Sequence, residues 1–159
     1  MTYSSICVAV ALQRYLDFTP VALRQRHLAA LIASACRARL TVVTVEAPVE
    51  LLPGLETMQE KLDRYTRPLQ EQGLDVTAHH REGKPSSEIL ATLDEVDADL
   101  LIMGSHSKRT PLDVGLGSTV RALPSDLAVP VLLIRPTHEE YERTQELKIP
   151  KYPVVFPYG

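Results

Sequence analysis

The stretch LLIMGSHSKRTPLDVGLGSTV, Leu100 to Val120, decides the fold. It opens with an apolar run of the kind a strand buried on both faces requires, and Gly104 ends that run. A polar loop follows, and Gly117-Ser118-Thr119 opens a helix that turns Val120 inward. In a sheet built from such strand–loop–helix units, ligands gather outside the carboxyl ends of the strands, where the strand order reverses. The loop from Ser105 to Leu116 is about twice the ~2–6 residues usual for such connections. A helix start offers unpaired N–H groups and the positive end of a dipole, which suits an anion. Ser118 and Thr119 add hydroxyls, and Lys108 and Arg109 add positive charge. The same residues also fit a plain alternative, in which Ser118 caps the helix and the loop is merely long.

Working outward, four more segments read as strands: Ser4 to Leu12, Arg39 to Ala47, Leu74 to Glu82 and Val129 to Pro136, with Asp99 to Ser105 as the fourth of five in chain order. Leu74, Val76 and Ala78 alternate, which marks the third as a half-exposed edge. Thr19-Pro20 is a helix start, a capping hydroxyl with proline at the first helical position. Leu28, Leu31, Ile32 and Ala35 then follow helical spacing. Leu55, Met58, Leu62, Tyr65 and Leu69 form a second stripe that ends at Gly73, with Pro68 expected to kink the last turn. A third helix starts at Pro85 and buries Ile89, Leu90 and Leu93. A fourth starts near Gly117 and turns Val120 and Leu123 inward before Pro124 disturbs its end. Strands separated by helices must be parallel, so the expected fold is α/β, a doubly wound, Rossmann-like sheet with helices on both faces. Residues 1–136 form this domain and 137–159 an extended C-terminal tail.

The chain has 159 residues, net charge −3 and 23% charged residues. Without a concentrated basic face, nucleic-acid binding is excluded as an expectation. No apolar run reaches the ~20 residues of a membrane span, and MTYSSICVAV carries no basic leader. Cys7 and Cys36 sit in apolar segments and read as small core residues in a reducing cytoplasm. The expected location is therefore cytoplasmic.

Residues 98–136, ADLLIMGSHSKRTPLDVGLGSTV through VPVLLIRP, resemble the signature end of the universal stress protein (UspA) family. REGKPSSEIL resembles the segment before it, where the family usually has Gly-Asp-Pro. The resemblance extends more weakly to the first strand, ICVAVAL, and covers roughly residues 4–135. It implies a five-stranded parallel sheet in the order 3-2-1-4-5, a stress-response or signalling role, and a homodimer paired through the fifth strand, Val129 to Arg135. It also implies ATP or AMP as ligand where the pattern Gly-x2-Gly-x9-Gly-(Ser/Thr) and an aspartate ending the first strand are present. Here Gly104 and Gly117-Ser118 match, Ser107 stands at the middle glycine, and Ala11 stands at the aspartate. If that glycine serves a left-handed backbone angle, Ser107 costs about 1–2 kcal/mol there. Ala11 forgoes a charged hydrogen bond of about 1.5–3 kcal/mol. Val45 matches a second-strand position that faces the adenine base. The nucleotide-site residues implied by the resemblance are thus Ala11, Val45, Gly104, Ser107, Lys108, Gly117, Ser118 and Thr119.

Two function classes follow. One is a nucleotide-responsive stress protein with a degraded binding loop. The other is a dimeric interaction scaffold, without nucleotide, for a client protein or transporter. No nucleophile triad stands out, so catalytic residues are not expected and any ATP hydrolysis would be slow. His79-His80 point to opposite faces of a strand and cannot easily share a metal ion. His106 is read as a solvated loop histidine. Asp17 is read as a turn residue rather than a substitute for the missing aspartate. Glu88, Asp94, Glu95, Asp97 and Asp99 are read as a solvated acidic face. In the tail, Pro150, Pro153 and Pro157 forbid a helix, and YPVVFPYG carries apolar surface. It is expected to act as an arm over the dimer contact or over its own sheet edge.

Overall fold

The computed structural model describes residues 2–12, 17–46, 56–105 and 117–139. The strands are β1 (Ser5–Ala9), β2 (Arg39–Glu46), β3 (Val76–Glu82), β4 (Leu100–Gly104) and β5 (Val131–Ile134). The helices are α1 (Pro20–Cys36), α2 (Met58–Glu71), α3 (Pro85–Glu95) and α4 (Gly117–Arg121). Every neighbouring pair of strands is parallel, and the order is β3-β2-β1-β4-β5. Helices between consecutive strands leave no other pairing sense available. The strands are shorter than the apolar runs that announce them, because the ladder stops before the burial does. Val10 and Leu12 lie beyond β1 yet remain buried.

Alternation along each strand divides the core in two. Ile6, Val8, Leu40, Val42, Leu100 and Ile102 face α1 and α2. Cys7, Ala9, Val43, Leu101 and Met103 face α3. Leu74, Val76 and Ala78 pack against the first of these layers, as their alternation implies.

The helix starts follow the local chemistry. Thr19 Oγ1 accepts from Ala22 N at 3.1 Å and Pro20 fills the first helical position. Thr57 and Glu60 form a reciprocal capping box at α2, with bonds of 2.8 and 3.0 Å. Met58, Leu62, Tyr65 and Leu69 are buried as expected, and the Tyr65 hydroxyl donates to the Ala22 carbonyl at 2.5 Å. Leu55 lies outside the described residues. Pro68 sits inside α2, and Gly73 follows the helix at φ 86°, an angle that favours glycine. In α3, Ile89 and Leu93 are buried and Leu90 is half-buried. Lys84 precedes Pro85 and supplies no side-chain cap. The helix α4 spans five residues, and Val120 and Leu123 pack against the α3-side core.

One stripe is corrected. Leu31 and Ala35 are exposed, and Leu28 and Ile32 are only half-buried. The face of α1 that meets the sheet is Val21, Ala22, Gln25, Ala29 and Ala33. Small side chains let the helix axis approach the strands, and the larger leucines rotate outward as a result.

Candidate functional site

The strand order reverses between β1 and β4, which stay paired from Ile6↔Leu100 to Ala9↔Met103; the chain leaves their carboxyl ends in opposite directions, and in such sheets ligands gather outside that point. Ala9 pairs with Val43 in register, and two residues further on stand Ala11 and Val45. Ala11 is exposed and Val45 half-buried against the α3-side core. The two therefore border the reversal point with apolar side chains and no carboxylate.

Gly104 ends β4 at the same level. A Cβ on it would lie 2.7 Å from both Gln25 Oε1 and Val21 Cγ1 of α1. Its lack of a side chain is thus demanded by helix packing on the α1 side of the sheet, whatever the loop above it binds. Gln25 is fully buried, and its Nε2 donates to the Ala9 carbonyl at 2.9 Å. Its Oε1 has no hydrogen-bond partner among the described residues. One buried amide is therefore bonded to the end of β1 and packed beside the end of β4. The sequence reading missed Gln25. Its signal was a polar residue on a stripe otherwise made of alanine and valine.

Ser105 is buried, and its N–H donates to the Ile134 carbonyl at 2.8 Å, carrying the β4–β5 ladder one step past the strand. Gly117 opens α4 where the spacing placed it, and Thr119 is half-buried. Ser107 and Lys108, with His106, Arg109 and Gly115, lie outside the described residues. The structure therefore brings Ala11, Val45 and Gly104 to one end of the sheet.

The other candidates resolve locally. His80 Nε2 lies 2.7 Å from Glu46 Oε1 on the neighbouring strand. No group of three or more His, Cys, Asp or Glu side chains comes together among the described residues. Asp17 accepts from Phe18 N at 2.9 Å and faces Arg64 of α2 at 3.8 Å. The acidic region is not merely solvated. Asp99 accepts from Ser4 N at 2.8 Å and Ser5 N at 3.1 Å, which ties the start of β1 to that of β4. Glu95 chelates the Arg81 guanidinium, with Glu88 3.8 Å away. The Arg81 hydrogen bonds hold the Glu95 carboxyl below its usual range. Both cysteines are free, and burial pushes the Cys7 thiol up to about 12, so it is no nucleophile.

Among the described residues, no helix is long and apolar enough to cross a membrane.

The chain is similar to known proteins across this whole sheet. It is 29% identical over 97 residues to a universal stress protein of Methanocaldococcus jannaschii, a match covering 60% of this chain and 57% of the relative. The chain thus matches little more than half the length of that relative. A universal stress protein solved in complex with cAMP superposes with a TM-score of 0.59 at 23% identity, over 85% of this chain and 98% of the other. The universal stress protein from Archaeoglobus fulgidus in complex with dAMP gives 0.57 at 22%, over 84% and 99%. These likenesses show the α/β fold. The model of the universal stress protein family matches residues 3–135, from before β1 to just after β5, and the chain belongs to that family.

Proposed function

We propose that this protein is a stress-response module that takes an adenine nucleotide weakly at the reversal point, outside the carboxyl ends of β1 and β4. The observation that carries the reading is the placement of Ala11 and Val45 just beyond the carboxyl ends of the strands at the reversal point. Ala11 is exposed and Val45 half-exposed at the reversal point of the sheet, where a nucleoside would rest. Two structural relatives hold cAMP and dAMP, which supports the same ligand class. Ala11 offers no carboxylate to a ribose, and Ser107 replaces a glycine of the loop, so affinity is reduced. The two losses together amount to roughly two to three and a half decades on the ~1.4 kcal/mol per decade scale. The reading assigns no catalytic residue, and ATP hydrolysis is slow at most.

Native mass spectrometry of the gently purified protein, followed by calorimetry with ATP, AMP and cAMP, tests it. Weak binding is expected. Ala11→Asp with Ser107→Gly should tighten binding at least tenfold, and Gly117→Val should abolish it. A heat signal unchanged by Gly117→Val sinks the proposed site.

A second reading is the dimeric scaffold without nucleotide. It is favoured by Gly104, whose presence the packing of Val21 and Gln25 already explains. Absence of any nucleotide signal, for the parent and for the Ala11→Asp, Ser107→Gly variant alike, would select it.

A further inference from the structure

A groove of about 340 Å³ runs where the solvent side of α1 meets α2, lined among others by Leu23, Arg26, His27, Leu31 and Pro68. Leu23 is 41% and Leu31 54% exposed. Eight residues apart on one helix, they mark a ridge about 12 Å long. Arg24, Arg26 and His27 lie along it, and α1 has no acidic residue at all.

The chain leaves β5 beside this ridge and turns helical at His138 and Glu139, so the tail is not extended from residue 137 as expected. Arg24 Nη1 donates to the Arg135 carbonyl at 3.2 Å. At about 100° per residue, Leu31 stands about 20° from Arg24 around the helix, His27 about 60° and Leu23 about 100°. A chain crossing the solvent side of α1 from Arg135 therefore meets Arg24 and Leu31, then His27, then Leu23 and the groove.

The sequence beyond matches that path in order. Glu139, Glu140 and Glu142 come first, opposite in charge to Arg24. The apolar stretch YPVVFPY, Tyr152 to Tyr158, comes last. Proline-rich chain is already extended before it binds and rises about 3.1 Å per residue, so about four residues span the ridge. Residues 140–159 are ample to reach it.

We propose that residues 140–159 fold back over α1 of their own chain and seat the Tyr152–Tyr158 stretch in the α1–α2 groove. The tail then covers Leu23 and Leu31, and it leaves the β5 edge and the β1–β4 reversal point to other partners. This proposal is independent of nucleotide binding.

The chain has no tryptophan, so Phe156→Trp makes the tail the sole indole emitter. In the full-length protein its emission should be blue-shifted relative to the same chain in denaturant, and shielded from acrylamide. Adding Leu23→Glu and Leu31→Glu should move the emission to the denatured position and raise quenching several-fold, with the circular dichroism of the fold retained. If that pair disturbs folding, Leu31→Ser is the milder substitute, expected to give a smaller shift in the same direction. A red emission in the parent overturns the proposal. So does a blue emission that the groove substitutions leave in place. A blue emission lost on dilution also overturns it, because the groove would then hold the tail of a second copy.

Discussion

Gly104 shows how a residue can belong to a motif for two reasons. In sequence it opens a phosphate-loop pattern; in the structure it makes room for α1. Val21 is buried and Gln25 is tied to Ala9, so neither can retreat far from a new methyl group. Gly104→Ala should therefore destabilise the protein by about 1–3 kcal/mol, the range for overpacking. Gln25→Ala should cost a comparable amount by vacating a buried site and removing the donor to Ala9. The double variant should lose less than the sum, because the shorter side chain gives the new methyl its space. Chemical denaturation of the four proteins measures this. Strict additivity would mean that Gln25 is not what excludes a side chain at Gly104, leaving the contact with Val21 Cγ1 to account for it. The spacing alone could not have separated the two explanations, since the opposing atoms come from a helix about eighty residues earlier.

At the scale of elements, helix starts were the most legible feature. Thr19-Pro20 acts within one turn, so sequence neighbours are also spatial neighbours; the capping box of Thr57 and Glu60 at α2 follows the same local rule, but the sequence reading did not name it. The third start is the exception that teaches most. Lys84 occupies the N-cap of α3 in extended backbone, φ −82° and ψ 123°, and contributes no side-chain bond. An aspartate there, as in the family's Gly-Asp-Pro, would accept from the first-turn amides. Lys84→Asp should stabilise the fold by about 1 kcal/mol, read as a raised melting temperature. A neutral or negative change would mean that nearby Glu88 already sets the charge balance of that turn. The apolar stripe of α1 was legible only as helical, not in its orientation. Hydropathy gives weight to Leu28 and Leu31, whereas contact distance to the sheet gives it to Ala22, Ala29 and Ala33.

For the molecule as a whole, the two sheet edges differ. On β3, His80 pairs with Glu46, and Arg81 with Glu95 of α3, so charged side chains clothe that edge. On β5, Val131 is 40% exposed, and Leu132 and Leu133 are half-buried. We propose this second edge as the surface that pairs two copies. Sedimentation should then find a dimer for the parent chain and a monomer for Val131→Asp, with the melting temperature of the latter lowered. A dimer that survives the substitution would move the contact elsewhere, and a parent that sediments as a monomer would remove it.

The amino-acid sequence by itself determined the βα alternation, the Thr19-Pro20 start of α1, the edge character of β3 and the family. Each of these depends on interactions between near neighbours or on a pattern repeated along the chain. Only the tertiary structure decided which face of α1 meets the sheet, why Gly104 has no side chain, and that Gln25 is bonded to the end of β1 beside it. Asp99 likewise proved a tether for β1 rather than part of a solvated face. Those outcomes turn on contacts of a few ångströms between residues far apart in the chain, and such distances are set by the packing of all the elements together.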